Sequence, residues 1–272
     1  MLLSAQRYLI FPGAATQGRP DAAVRAGEGE ELLRLRAGTG DTIAALFGRA
    51  LNADGSPRPD AARRPTVLFF YGNGMCLADC YHEFKTFRRL GANVMIPDFV
   101  GYGMSSGVAG EIGVYSTADA AYEHLLTRSD IDTGKIVPAG WSLGSGAAIH
   151  LASTRANTAH PAAGLMTFSA MTSVTDIARK LFPYLPTSLL LRHRFENEKK
   201  MHAVRCPVLI VHGRHDSIIP PAMAPRLAAA AGGPVTRLDV DTDHNDLFEK
   251  GGGELTGAIK KFLDAIALRP DP

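Results

Sequence analysis

The sequence predicts an α/β protein with a mostly parallel central sheet and helices on both faces. Three observations lead there. Beyond Pro65, six short apolar runs alternate with longer stretches of helical character. Most of these runs are near-continuously apolar, which suits strands buried on both faces of a parallel sheet. The chain is also long and apolar enough for a large core, with 272 residues of which 46% are hydrophobic. We read residues 1–272 as a single domain with a short lid or cap insertion at about 171–203.

Taken in order, Tyr8-Leu9-Ile10-Phe11 and Leu32-Leu33-Arg34-Leu35-Arg36 read as strands, and Thr42–Phe47 is expected to pair with the second. Pro12 to Glu30 and Asn52 to Pro65 read as surface loops, rich in Gly, Ala, Pro and charge. The six later strands are Thr66–Tyr71, Asn93–Pro97, Lys135–Ala139, Leu165–Phe168, Pro207–His212 and Val235–Val240. Helices are expected around Tyr81–Leu90, Thr117–Thr127, Leu143–Ser153, Ala222–Ala231 and Leu255–Ile266. Such βα alternation makes a doubly wound sheet. From Met171 to Ala203 the alternation lapses, and that span is longer than an ordinary connection, as lids over binding sites are. An extra helix packed on the core is the plainer alternative.

Charge and cysteine content exclude several functions. The 29 Lys and Arg against 27 Asp and Glu give a net charge of +2, with no dense basic face for nucleic acid. Three cysteines (Cys76, Cys80, Cys206) make no disulfide scaffold and fit a reducing compartment. No run approaches the length of a membrane span, and residues 1–7 lack the basic and apolar regions of a signal peptide, so a cytoplasmic location is expected.

The chemistry concentrates in three loops. Gly140-Trp141-Ser142-Leu143-Gly144 is a G-x-S-x-G sequence between a strand and a helix. A serine there sits on a tight, strained turn at a helix N-terminus, and residues flanking the turn must be small. A serine needs a base. Of nine histidines, His244 follows the Val235–Val240 strand, at the sheet edge where sites form. His82 and His124 read as surface helix residues, His150 as packing, His160, His193 and His202 as loop or insertion residues, and His212 and His215 as turn supports. Asp216, on the turn after Pro207–His212, is the expected partner of that histidine, with Asp241 and Asp243 as rivals. Oxyanion donors are expected from the Leu143 N–H and from the Gly72-Asn73-Gly74-Met75 loop, with Asn73 the first choice and Gly74 or Met75 as alternatives. Cys76 and Cys80 read as packed thiols beside that loop, with a regulatory disulfide as the other possibility.

Together these blocks resemble the α/β-hydrolase superfamily of serine hydrolases, in its compact esterase-like branch with a His-Gly-Asn type oxyanion loop. The resemblance rests on Tyr71-Gly72-Asn73-Gly74, on residues 97–107 (PDFVGYGMSSG), on Gly140–Gly144, on residues 206–216 with Ile219-Pro220, and on Asp243-His244. It implies the α/β-hydrolase fold, Ser142, Asp216 and His244 as a triad, and Asn73 and Leu143 as oxyanion donors. Two departures stand out: Tyr71 replaces the usual His before Gly-Asn, and Val100 replaces a frequent Arg.

The expected activity is hydrolysis of carboxylic esters or related acyl compounds, with no cofactor. The expected partner is a small-molecule acyl substrate of short to medium chain length. Met75, Trp141, Phe182, Tyr184 and Leu185, with Leu189–Leu191, are expected to line its pocket, and the Leu189–Leu191 cluster also permits membrane association. Thioesterase, amidase or peptidase activity, or a non-catalytic binding role on the same fold, are the alternatives. A metal on His212, His215 and Asp216 fits no common zinc spacing, and Gly72-Asn73-Gly74 lacks the third glycine of a dinucleotide fingerprint.

Overall fold

The computed structural model describes residues 2–269, and side chains from residue 6 onward. Met1 and residues 270–272, the ends of the expected 1–272 domain, lie outside the described residues. The strands are β1 (Glu30–Arg36), β2 (Thr42–Gly48), β3 (Thr66–Phe70), β4 (Asn93–Pro97), β5 (Ile136–Trp141), β6 (Leu165–Phe168), β7 (Val208–Gly213) and β8 (Val235–Val240). They form one sheet in the order β1-β2-β4-β3-β5-β6-β7-β8. The β1–β2 hairpin pairs Leu32 with Leu46 and joins the rest antiparallel through β4. All other pairings are parallel.

The helices are α1 (Leu2–Ile10), α2 (Tyr81–Arg89), α3 (Glu111–Leu126), α4 (Leu143–Thr154), α5 (Val174–Leu181), α6 (Thr187–Leu190), α7 (Asn197–Met201), α8 (Met223–Ala230), α9 (Leu247–Lys250) and α10 (Gly252–Ala267). The β3, β4, β5, β6 and β7 strands are buried at every residue, which explains their continuous apolar character. Among the described residues no helix is long and apolar enough to cross a membrane.

Two sequence expectations change, and the insertion gains a definite form. Tyr8–Phe11 is not a strand: residues through Ile10 form α1, and only Phe11 lies beyond it, buried. Four consecutive apolar residues suit either state. Gln6 and Arg7 favour helix, and Pro12 keeps the residue before it, Phe11, out of the helix. The helix expected over Thr117–Thr127 begins six residues earlier, at Glu111. The 171–203 insertion is three short helices, α5 to α7, joining β6 to β7.

That insertion is tied to the body through residues 190–195, in its carboxyl-terminal half. The Glu111 carboxylate, at the start of α3, accepts the amides of Arg194 (2.7 Å) and Phe195 (3.0 Å). The Gln6 side chain of α1 donates to the Leu190 carbonyl (2.7 Å) and accepts from the Arg192 amide (3.2 Å). The N-terminal helix and the insertion therefore form one cover. Val100, in place of the expected arginine, is buried against Ala37 and Ile43.

Candidate active site

The carboxyl ends of β3, β5, β7 and β8 supply the site. Ser142 follows β5 and precedes α4, with φ 53° and ψ −115°, a left-handed conformation that a side chain adopts only under strain. The neighbouring glycines permit this turn. A Cβ on Gly140 would come within 2.2 Å of the Gly144 carbonyl oxygen, and one on Gly144 within 2.1 Å of the Phe70 oxygen. The Ser142 amide is bonded to the Phe168 oxygen of β6 (2.9 Å), and the Ser145 hydroxyl donates to the Ser142 carbonyl. Leu143 is the first residue of α4, so its N–H has no acceptor within the helix.

His244 lies just beyond β8, with its Nδ1 2.8 Å from Asp216 Oδ2. This bond makes Nδ1 the protonated nitrogen and leaves Nε2 as the basic one. Asp216 is held in turn by the amides of Ile218 (3.0 Å) and Ile219 (2.6 Å) on Oδ1. His212 Nε2 lies 3.3 Å from Oδ2 and 3.0 Å from the Ile219 carbonyl. A nitrogen between two acceptors carries the proton, so buried His212 supports the aspartate as a donor. Burial by itself would raise the Asp216 carboxyl. Hydrogen bonds from His212, His244 and the Ile219 amide outweigh it and hold the group well below the usual carboxylate range.

The other candidates sort clearly. Asp241 pairs with exposed His215 (2.7 Å), a contact between the turn after β7 and the loop after β8 that leaves Asp241 off the His244 ring. Asp243 accepts the amides of Ser217 (2.7 Å) and His244 (2.6 Å), fixing the loop rather than the imidazole ring. His150 stacks on Tyr115 at 4.3 Å and meets Asp119, a packing role. His124 is partly buried rather than a surface residue.

The loop after β3 is anchored by a residue that sequence reading did not single out. Buried Asp98, after β4, accepts the Tyr71 hydroxyl (3.0 Å) and the amides of Leu77 (2.7 Å) and Met104 (2.8 Å). The Tyr71 hydroxyl also accepts the Phe99 amide at 3.1 Å. Tyrosine in the place of histidine thus ties the loop to the end of β4. Burial pushes the Asp98 carboxyl up to about 6, against the lowering effect of its amide and tyrosine donors. The Pro97-Asp98 block was visible in the sequence, but its partners come from elsewhere in the chain. Asn73 is held from the other side: its carbonyl accepts the Gly13 amide (3.1 Å). A Cβ on Gly13 would come within 2.2 Å of the Tyr102 ring. Cys76 and Cys80 are free thiols on the following turn, and burial raises Cys76 to about 11.

Ser142, Leu143, Asn73 and His244 all line one cavity of about 580 Å³. Met75, Trp141 and Phe182 line it as expected. Tyr184 and Leu185 do not: both point into solvent from the α5–α6 connection. That connection turns through Pro183 and Pro186 outside the cavity, so its apolar side chains face outward. The apolar lining comes instead from Val174, Ile177, Ala178 and Leu181 of α5 and from Leu9 and Ile10 of α1. The contribution of α1 was missed with the helix itself.

No family model matches the chain. It is 31% identical over 235 residues to the uncharacterized protein Rv2307c of Mycobacterium tuberculosis, covering 86% of this chain and 82% of that one. It is 29% identical over 226 residues to the alpha/beta hydrolase domain-containing protein WAV2 of Arabidopsis thaliana, covering 75% of this chain and 71% of the relative. Among solved structures, an alpha-beta hydrolase from Vibrio vulnificus superposes with a TM-score of 0.69 at 19% identity, over 93% of each chain. The Pyrococcus furiosus esterase Pf2001 gives 0.67 at 15% identity, over 87% of this chain and 92% of that one.

Proposed function

The chain belongs to the α/β-hydrolase superfamily, and on that premise we propose that it is a serine hydrolase cleaving carboxylic esters through an acyl-enzyme. The observation that carries the reading is the His244 ring. It is fixed by Asp216 through Nδ1 and lines the same cavity as strained Ser142.

The Ser142 Oγ attacks the ester carbonyl carbon while its proton passes to His244 Nε2. The tetrahedral oxyanion is met by the N–H of Leu143 and the N–H of Asn73. Collapse breaks the bond to the alcohol oxygen, which takes the proton from Nε2. Water then adds to the acyl carbon, giving its proton to Nε2. The C–Oγ bond breaks, Oγ recovers that proton, and a carboxylic acid leaves. Asp216 keeps Nδ1 protonated and stabilises the transient imidazolium. Apolar walls from α1 and α5 suit an acyl chain of short to medium length.

A fluorophosphonate probe tests this directly. Intact-mass and peptide analysis should find one adduct, on Ser142, lost in Ser142→Ala together with turnover of p-nitrophenyl esters. Labelling that survives in Ser142→Ala, or none in the wild type, overturns the reading.

A further inference from the structure

The mouth of the cavity is apolar on its outside as well as its inside. Leu9, Leu181, Phe182 and Ile218 line the cavity, yet are 74%, 65%, 50% and 50% exposed. Beyond them stand Tyr8, Tyr184, Leu185 and Leu189 at 76%, 97%, 52% and 81% exposure. Eight large apolar side chains around one opening exceed the scattered exposure of an ordinary surface. Gln6 fastens α1 to the Leu190–Arg192 backbone, so the two halves of the patch are held together.

The charge around the opening points to the occupant. Residues 1–20 and 178–194 hold six of the 29 Lys and Arg and none of the 27 Asp and Glu, so the remainder of the chain is net negative. Arg19 is paired with Asp21, and Arg179 with Asp176 at 3.1 Å. Arg7, Lys180 and Arg192 have no salt-bridge partner among the described residues. An apolar rim carrying unpaired cations on an otherwise acidic body complements an anionic lipid surface, where apolar side chains enter the acyl boundary and cations meet phosphates.

We propose that the α1 and α5–α6 face docks on anionic phospholipid surfaces, so that acyl substrates enter the cavity from the bilayer side. The surface stands on its own observations; that it delivers substrate rests on the hydrolase reading above. Docking places Tyr184 and Leu185 in the headgroup region and the Leu181–Phe182 rim against the acyl chains.

Sedimentation with vesicles of ether-linked phospholipids, which no esterase cleaves, measures docking apart from turnover. The wild type should sediment with vesicles one-third phosphatidylglycerol, less with phosphatidylcholine alone, and less at high salt. Tyr184→Ser/Leu185→Ser/Leu189→Ser, none of which lines the cavity, should weaken partitioning at least tenfold and leave soluble p-nitrophenyl ester turnover unchanged. Lys180→Glu should weaken binding to anionic vesicles about tenfold and leave the weak binding to phosphatidylcholine in place. Wild-type protein that stays in the supernatant, or a triple variant that binds as the wild type does, overturns the proposal. So does light scattering that finds a dimer which the triple variant dissolves, because the patch then faces a second copy. Sedimentation without any ester turnover sinks the hydrolase reading and leaves the lipid surface standing.

Discussion

Asp98 and Asp216 are both buried carboxylates at the carboxyl edge of the sheet, and each accepts two backbone amides. Their acidities diverge. Burial pushes Asp98 up to about 6, and amides plus a neutral tyrosine recover only part of that. Burial acts on Asp216 as well, but two histidines join its amides and the carboxyl falls well below the ordinary range. The difference lies in the partner. A carboxylate facing a ring that can take up a proton is kept charged, while one facing a phenol is a mechanical node that tolerates either state. One aspartate is suited to steady a transient cation, the other to hold a loop.

The largest break in this comparison should come from Asp216→Asn. Turnover of a soluble ester should fall on the order of 10⁴-fold with the far-UV circular dichroism unchanged, because the ring loses its fixed tautomer. A loss under tenfold would mean that Asp216 does not orient the base.

The second effect is on stability against pH. A native value above the ordinary 3.8 means that folded Asp98 holds its proton more tightly, so stability is lost as pH rises from 3.8 to about 6, by about 3 kcal/mol. Asp216 has the opposite sign: its contribution is present above 3.8 and drains away as pH falls below it. Urea unfolding across this range should show Asp98→Asn flattening the upper slope and Asp216→Asn the lower one. If Asp98→Asn leaves the upper slope intact, the group that titrates there is another.

Tyr71→Phe should have the smallest effect. It strips one donor from Asp98 and the acceptor of the Phe99 amide, costing about 1–3 kcal/mol. Turnover should fall less than in Asp216→Asn, measured on the same ester. A fall as large would make the phenol part of the reacting centre.

What the sequence made legible follows the range of the interactions. The turn at Ser142 could be read because its requirement is local: Gly140 and Gly144 are close to the serine, and any Cβ there collides with backbone. The ends of β3 to β7 could be read because those strands are buried at every residue. The α1 helix could not, since its anchors at Leu190 and Arg192 lie on the far side of the chain. Composition also failed to separate Phe182, which lines the cavity, from Tyr184, which faces solvent two residues on. Asp98 could be seen, but its pairing with Tyr71 is a tertiary event between two strand ends.

The contact between Gly13 and Asn73 makes the amino-terminal segment a mechanical input to the loop after β3. Traction on the residues ahead of Gly13, from a fused domain or a tethering surface, is transmitted to Asn73 through one amide–carbonyl bond. Force applied at the start of the chain therefore reaches the loop after β3 without crossing the sheet.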